Sequence, residues 1–259
     1  SLIETLTGGT GTDVVTGTGA AGSSLAVSRL ETLLGGGGTD LATLTAAGGN
    51  SIAVAGVESV VGAGGSDLVT LVATVTSTVT VSLIETVVGG AAADTVAIGP
   101  GNNTLSVTLV ESVVGGSGSD TVRLLANTSG HQLTVAAVER VLGDAGATID
   151  RVALAAGGAT LSVGRIETLT GSTDLDLVTV SGPDGITIQV SQIDTLTGAG
   201  GTDIVTLAGA AGQVVTVSQI EGLTGTALAD SVTLAGIGNT LGMSLLETIV
   251  GSANTDAVT

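Results

Sequence analysis

The chain has 259 residues, with 23 Asp and Glu against five Arg, one His and two Pro, and it contains no Cys, Lys, Phe, Tyr or Trp. Without Cys there is neither a disulfide staple nor a thiolate metal site, and without rings there is no ordinary globular core, where aromatics supply the largest buried areas. A formal net charge of −18 disfavours nucleic acid and anionic membranes and favours cations, and no apolar run approaches the roughly 18 residues of a membrane span.

In chain order, the first landmark is Glu4. An acidic residue then returns at a nearly constant step, at Glu31, Glu58, Glu85, Glu111, Glu139, Glu167, Asp194, Glu221 and Glu247. Nine positions after each stands a second acid, at Asp13, Asp40, Asp67, Asp94, Asp120, Asp176, Asp203, Asp230 and Asp256. Asp150 follows at eleven because of an insertion before it. A 27-residue period, unbroken by any linker, predicts one supersecondary unit stacked on copies of itself, hence a single repeat domain over 1–259.

The repeat Thr86 to Glu111, TVVGGAAADTVAIGPGNNTLSVTLVE, gives the order of elements. A short strand follows the Asp, a Gly, Asn or Ser turn leads to a second strand, and a corner leads to a third that carries the Glu and ends on Gly. The apolar runs are short, rich in β-branched residues and alternate with period two. They predict an all-β protein, a parallel β-solenoid with three short strands per 27-residue coil and about ten coils. Leu105 and Val107 should face inward and Ser106 outward. Met243 falls in the same inward column and reads as core filler. The Gly four positions after each column acid, as at Gly8, Gly35 and Gly62, implies positive φ or a close backbone approach.

The loop before each Asp carries the chemistry. Gly8 to Thr16, GGTGTDVVT, and Gly115 to Arg123, GGSGSDTVR, fit the nonapeptide G-G-x-G-x-D-x-U-x. In these loops the chain resembles the RTX, or hemolysin-type, calcium-binding repeat family of secreted bacterial proteins. The resemblance implies a right-handed coil and Ca²⁺ held between stacked Gly-rich turns by Asp carboxylates and backbone carbonyls, as a hard cation wanting six to eight oxygens requires. The residues that match are Asp13, Asp40, Asp67, Asp120 and Asp203, with Gly8, Gly11, Gly35, Gly38, Gly62 and Gly65. The fourth-position Gly is lost at Ala92, Asp174, Leu228 and Asn254 and is disturbed by the insertion around Asp144, so the first three loops are the best sites. The alternative is an Asp that caps each turn through backbone amides, with no metal. Asp carboxylates stacked at about 5 Å would repel by roughly 1 kcal/mol per neighbour in water, which favours a bridging cation.

The Glu column reads as an outward, solvated ladder that keeps the protein soluble. A Thr row, from Thr16, Thr43 and Thr70 to Thr206 and Thr233, is similar to the surface of ice-binding proteins but is broken at Ala97, Arg123 and Ala153. The departures from the repeat are His131, Asp144, Asp174, Asp176 and Asp184. His131 has no second His, Cys or nucleophile placed beside it by the repeat and reads as an exposed turn residue, so the chain is not read as an enzyme. The expected function is an extracellular scaffold of a bacterial surface layer, adhesin or filament, associating end to end or with surface and matrix components. The alternatives are the stalk of a larger RTX-like secreted protein and an ice-binding solenoid.

Overall fold

The computed structural model describes residues 3–72, 76–146, 148–182, 184–236 and 239–259. Among them there is no helix, and 29 short strands form a parallel β-solenoid. The chain divides into two compact units, Ser1–Leu125 and Ala126–Thr259.

In the first unit β1 (Thr5–Thr7), β3 (Ser24–Ser28), β5 (Leu41–Leu44) and β7 (Ser59–Val61) follow one another in one sheet. β2 (Val14–Thr16), β4 (Thr32–Leu34), β6 (Ser51–Ala55) and β8 (Leu68–Leu71) do so in a second. Each strand pairs with the next but one, so that Ser24 stands against Leu41, Leu41 against Ser59 and Ser59 against Thr80. The second unit repeats the scheme, with β15 (Gln132–Ala136) and β17 (Arg151–Leu154) in one sheet and β16 (Arg140–Leu142) and β18 (Thr160–Gly164) in the other.

The expected coil is thereby corrected. Three strands per repeat are present, but a coil takes two of them, and the chain makes about 14 coils instead of ten. Every connection carries the chain across to the facing sheet, whether it is the Gly loop 8–13 or the short corner 29–31. An odd number of strands therefore cannot return to the sheet it left. The repeat winds one and a half times round a two-sided coil of two-thirds its length, so equivalent positions of successive repeats lie on opposite edges.

The core lies between the two sheets of each unit. Leu105 and Val107 are 1 % and 0 % exposed with Ser106 half-buried between them, as the alternation predicts. Val60, Val69, Val87, Val96 and Val113 are sealed in the same layer, each contributing about 1.5–3 kcal/mol of burial. Facing sheets about 10 Å apart are filled by Val, Leu and Ile without rings. Met243 lies in the inward column, opposite Leu223.

The corners supply the sharpest turns. Arg29, Leu83, Leu109, Arg165, Gln192 and Gln219 have φ between 50° and 56°, and Gly56 takes the same place at 60°. The apolar residue that follows, Leu30, Val57, Ile84, Val110, Ile166, Ile193 or Ile220, is buried. One left-handed residue, costing about 1–2 kcal/mol when it is not Gly, swings that side chain into the core. It also aims its own carbonyl at the recurring Gly. A Cβ on Gly8, Gly35 or Gly62 would overlap the carbonyl oxygen of Arg29, Gly56 or Leu83. Close approach, not positive φ, explains these glycines. Positive φ belongs to Gly11, Gly38 and Gly65, at 115°, 85° and 102°.

Candidate functional site: the carboxylate files on the coil edges

Each Gly loop ends on an Asp whose side chain turns inward. Asp40, Asp67, Asp120 and Asp203 are all at most 4 % exposed, while Asp13, in the first described coil, is half-buried. The carboxylate of Asp67 accepts the Ala63 amide on Oδ2 at 2.8 Å, and on Oδ1 the Asn50 amide and Asn50 Nδ2, both at 2.7 Å. Asp40 likewise accepts the Gly36 amide at 2.8 Å, the Ser23 amide at 2.8 Å and the Ser23 hydroxyl at 2.6 Å. Asp120 accepts from Gly116 and Asn103, Asp203 from Ala199 and Ile186, and Asp13 from Gly9. In the buried members one oxygen closes the Asp's own loop and the other holds a residue of the adjacent coil. Buried charge is tolerated here because several donors replace its hydration.

The same bonds form where the calcium-type Gly is missing. Asp94 accepts from Gly90 and Ser77, Asp176 from Ser172 and Ala159, Asp230 from Thr226 and Gln213, and Asp256 from Ser252 and Asn239. Three of these loops substitute one turn chemistry for another. Where Asp174, Leu228 and Asn254 replace the Gly, the amide at that position donates to the hydroxyl of Ser172, Thr226 or Ser252, two positions back, a hydroxyl-stabilised turn that dispenses with positive φ.

The Glu column is tied into the same files. Glu31 Oε2 accepts the Asp13 amide at 2.8 Å, Glu58 the Asp40 amide at 2.8 Å and Glu85 the Asp67 amide at 2.7 Å. Asp194, the single exchange in this column, accepts the Asp176 amide at 2.8 Å. These side chains are partly exposed, as a solvated ladder requires, but one oxygen of each is a bond between coils. Along an edge the order is therefore a polar residue, an Asp and a Glu: Asn50, Asp67 and Glu85 on one edge, Ser23, Asp40 and Glu58 on the other.

This order changes the electrostatics that the 27-residue period suggested. The loops ending at Asp13 and Asp40 lie on opposite edges, and those ending at Asp13 and Asp67 share an edge three coils apart. At about 4.8 Å per coil that is about 14 Å, where repulsion in water is about 0.3 kcal/mol and lies beyond the screening length of about 8 Å. The loop 62–67 stacks on the turn 46–50 of the preceding coil, where a Cβ on Gly65 would overlap the backbone of Gly48 and Gly49, and it has the Glu85 corner on its other side, so the Gly turn against it brings Asn50 and no second Asp. Burial pushes the Asp40 carboxyl up, but the Ser23 hydroxyl and the Ser23 and Gly36 amides outweigh it and hold it below the usual carboxylate range. Asp230 is lowered in the same balance, burial again opposing, with Gln213 and Thr226 as donors. Asp256 is lowered to about 2 by Asn239 and Ser252.

Two features depart from their sequence reading. His131 is buried, at 3 % exposure, and stands beside Asp144 and Asp150 instead of lying alone on the surface. The Thr row alternates between faces, since Thr16 and Thr70 lie in the sheet of β2 and β8 while Thr43 lies in that of β5.

The fold and its edges define a class: a two-sheeted parallel β-solenoid whose coils are joined by files of carboxylate-to-amide bonds. No protein-family model matches the chain, and comparison with curated proteins and with solved structures finds no match.

Proposed function

We propose that the chain is a structural scaffold, an extracellular β-solenoid of a bacterial surface layer, adhesin or filament, whose Asp column fastens coil to coil without a metal. The observation that carries this reading is the sameness of the Asp bonds. Asp40 and Asp67, in loops with the calcium-type Gly, bind the same amide set as Asp94 and Asp230, in loops without it. One bond set shared by loops with and without the calcium-type Gly is what a structural role of the Asp requires. A parallel backbone ladder, an aliphatic core and paired edge groups give a stiff element with its polar backbone satisfied. Self-association and contact with surface or matrix components belong to this reading.

The second reading is the calcium-binding, RTX-like stalk, supported by the Gly8 to Thr16 and Gly115 to Arg123 loops. A cation at Asp13, Asp40, Asp67, Asp120 or Asp203 would use lone pairs left over by the amides. Melting in millimolar Ca²⁺ and then in chelator separates the two. Binding at a hundredfold excess over Kd adds about 2.7 kcal/mol, or roughly 5–10 °C for a chain of this length. The scaffold reading expects a change below about 1 °C and no calcium by elemental analysis. A shift of several degrees would replace it with the calcium stalk.

A further inference from the structure

We propose a divalent transition-metal site, of the zinc type, formed by His131, Asp144 and Asp150 where the repeat is interrupted. The inference concerns one member of the Asp column, Asp150, and leaves the metal-free fastening of the other coils as proposed; it stands apart from the Gly-loop calcium question because its ligands include an imidazole and Asp144.

Two departures from the repeat converge here. The place taken by His131 is held in three other loops by Asn50, Asn103 and Asn239, each of which donates its side-chain amide to the Asp of the adjacent coil, and in the rest by Ser23, Ser77, Ala159, Ile186 and Gln213. His131 keeps the backbone part of that pattern, its amide donating to Asp150 Oδ1 at 3.3 Å, and puts an imidazole where the carboxamide would be. The second departure is Asp144, which stands directly after the recurring Gly143, where other loops carry Gly36, Ala63, Ser172 or Thr226, in the loop that is two residues longer before Asp150. The Asp144 amide donates to Asp150 Oδ2 at 2.9 Å, the bond that closes the other loops, so its carboxylate is held next to the column carboxylate. One ring nitrogen and one oxygen from each Asp then lie within 4.8 Å of one another.

The independent sign of a ligand is an orphaned oxygen. Asp144 is 8 % exposed, and its Oδ1 accepts the Gly146 amide at 2.5 Å while its Oδ2 has no partner. Among the described residues only one other buried side-chain polar atom lacks a partner, Thr148 Oγ1, in the same loop. Every other buried Asp described above accepts amides on both oxygens, so an unpaired carboxylate oxygen beside the chain's one imidazole marks a place prepared for a positive charge.

The donor set selects the ion. Imidazole with two carboxylates suits Zn²⁺ and its neighbours, whereas Ca²⁺ and Mg²⁺ take oxygen. Tetrahedral ligands about 2.0–2.2 Å from zinc stand about 3.4 Å apart, so atoms within 4.8 Å of one another need close by at most about 1.4 Å. Asp150 spends one lone pair of each oxygen on the His131 and Asp144 amides and has another free to coordinate.

The test uses the whole chain, stripped with chelator and titrated with Zn²⁺ by calorimetry and with Co²⁺ by visible absorption. One equivalent should bind with micromolar or tighter Kd, and Co²⁺ should give ligand-field bands. The 15N signals of the only imidazole should shift on Zn²⁺ addition. His131→Asn, which installs the residue found at 50, 103 and 239, and Asp144→Asn should each weaken binding at least tenfold while keeping the coil, with Asp174→Asn unchanged. No uptake at millimolar Zn²⁺, binding insensitive to His131→Asn, or Ca²⁺ binding as tightly as Zn²⁺ would each overturn the site.

Discussion

Asp67→Ala tests whether the Asp column is the fastening between coils. The substitution removes the acceptor of the Ala63 amide, the Asn50 amide and Asn50 Nδ2 at a position 1 % exposed. Asn50 Nδ2 keeps a second acceptor in the Ala46 carbonyl at 3.1 Å, so two amides are stranded outright. At about 1–3 kcal/mol for each stranded donor, with the lost charge-assisted bonds included, the cost is about 3–5 kcal/mol. For a chain this long that is a fall in Tm of roughly 10 °C. Asp67→Asn keeps one acceptor and turns an NH₂ against an amide, so it should cost about half as much. Because each coil touches only its neighbours, hydrogen exchange at the Ala63 and Asn50 amides reads the loss locally. All measurements are made in chelator, where a calcium ligand would be silent. A loss below about 1 kcal/mol with both amides still protected would refute the reasoning.

Two further outcomes follow from the same geometry. Gly62→Ala should cost about 3 kcal/mol, because its Cβ overlaps the Leu83 carbonyl and the corner must shift. Gly64→Ala should change stability by less than about 0.5 kcal/mol, since its nearest neighbour would be the Ala47 carbonyl oxygen at 3.8 Å; equal losses in urea titrations would show that close approach is not the reason for the Gly column. Acid should weaken the fold late. Asp40 and Asp230 are held below their ordinary range and Asp256 lies at about 2, against about 4 in the unfolded chain. The unfolded chain therefore binds protons more readily, and the contribution is complete above about pH 5 and lost as pH falls through 4 toward 2. Tm should be flat from pH 8 to 5 and decline below 4, and a decline already present between pH 8 and 6 would contradict this.

The sequence alone determined the strands, their parallel stacking and the direction of their side chains, because period-two alternation is a local property that a run such as Leu105–Ser106–Val107 states directly. It also located the glycines that admit no side chain. It did not give the number of strands in a coil, since nothing local to a turn tells whether the next strand lies at a third of a revolution or at half. That angle decides the rest. Were a coil one whole repeat, Asp13, Asp40 and Asp67 would form one row of neighbouring ligands. At two-thirds of a repeat they part to opposite edges, and Asp40 and Asp67 each meet a polar residue 17 positions back and a Glu 18 ahead. The Asn at 50, 103 and 239 is legible as an Asp partner only at that shorter spacing. His131 and Asp144 appear in the sequence as unrelated irregularities. The tertiary structure makes them neighbours, because two loops consecutive along one edge stack a single coil apart.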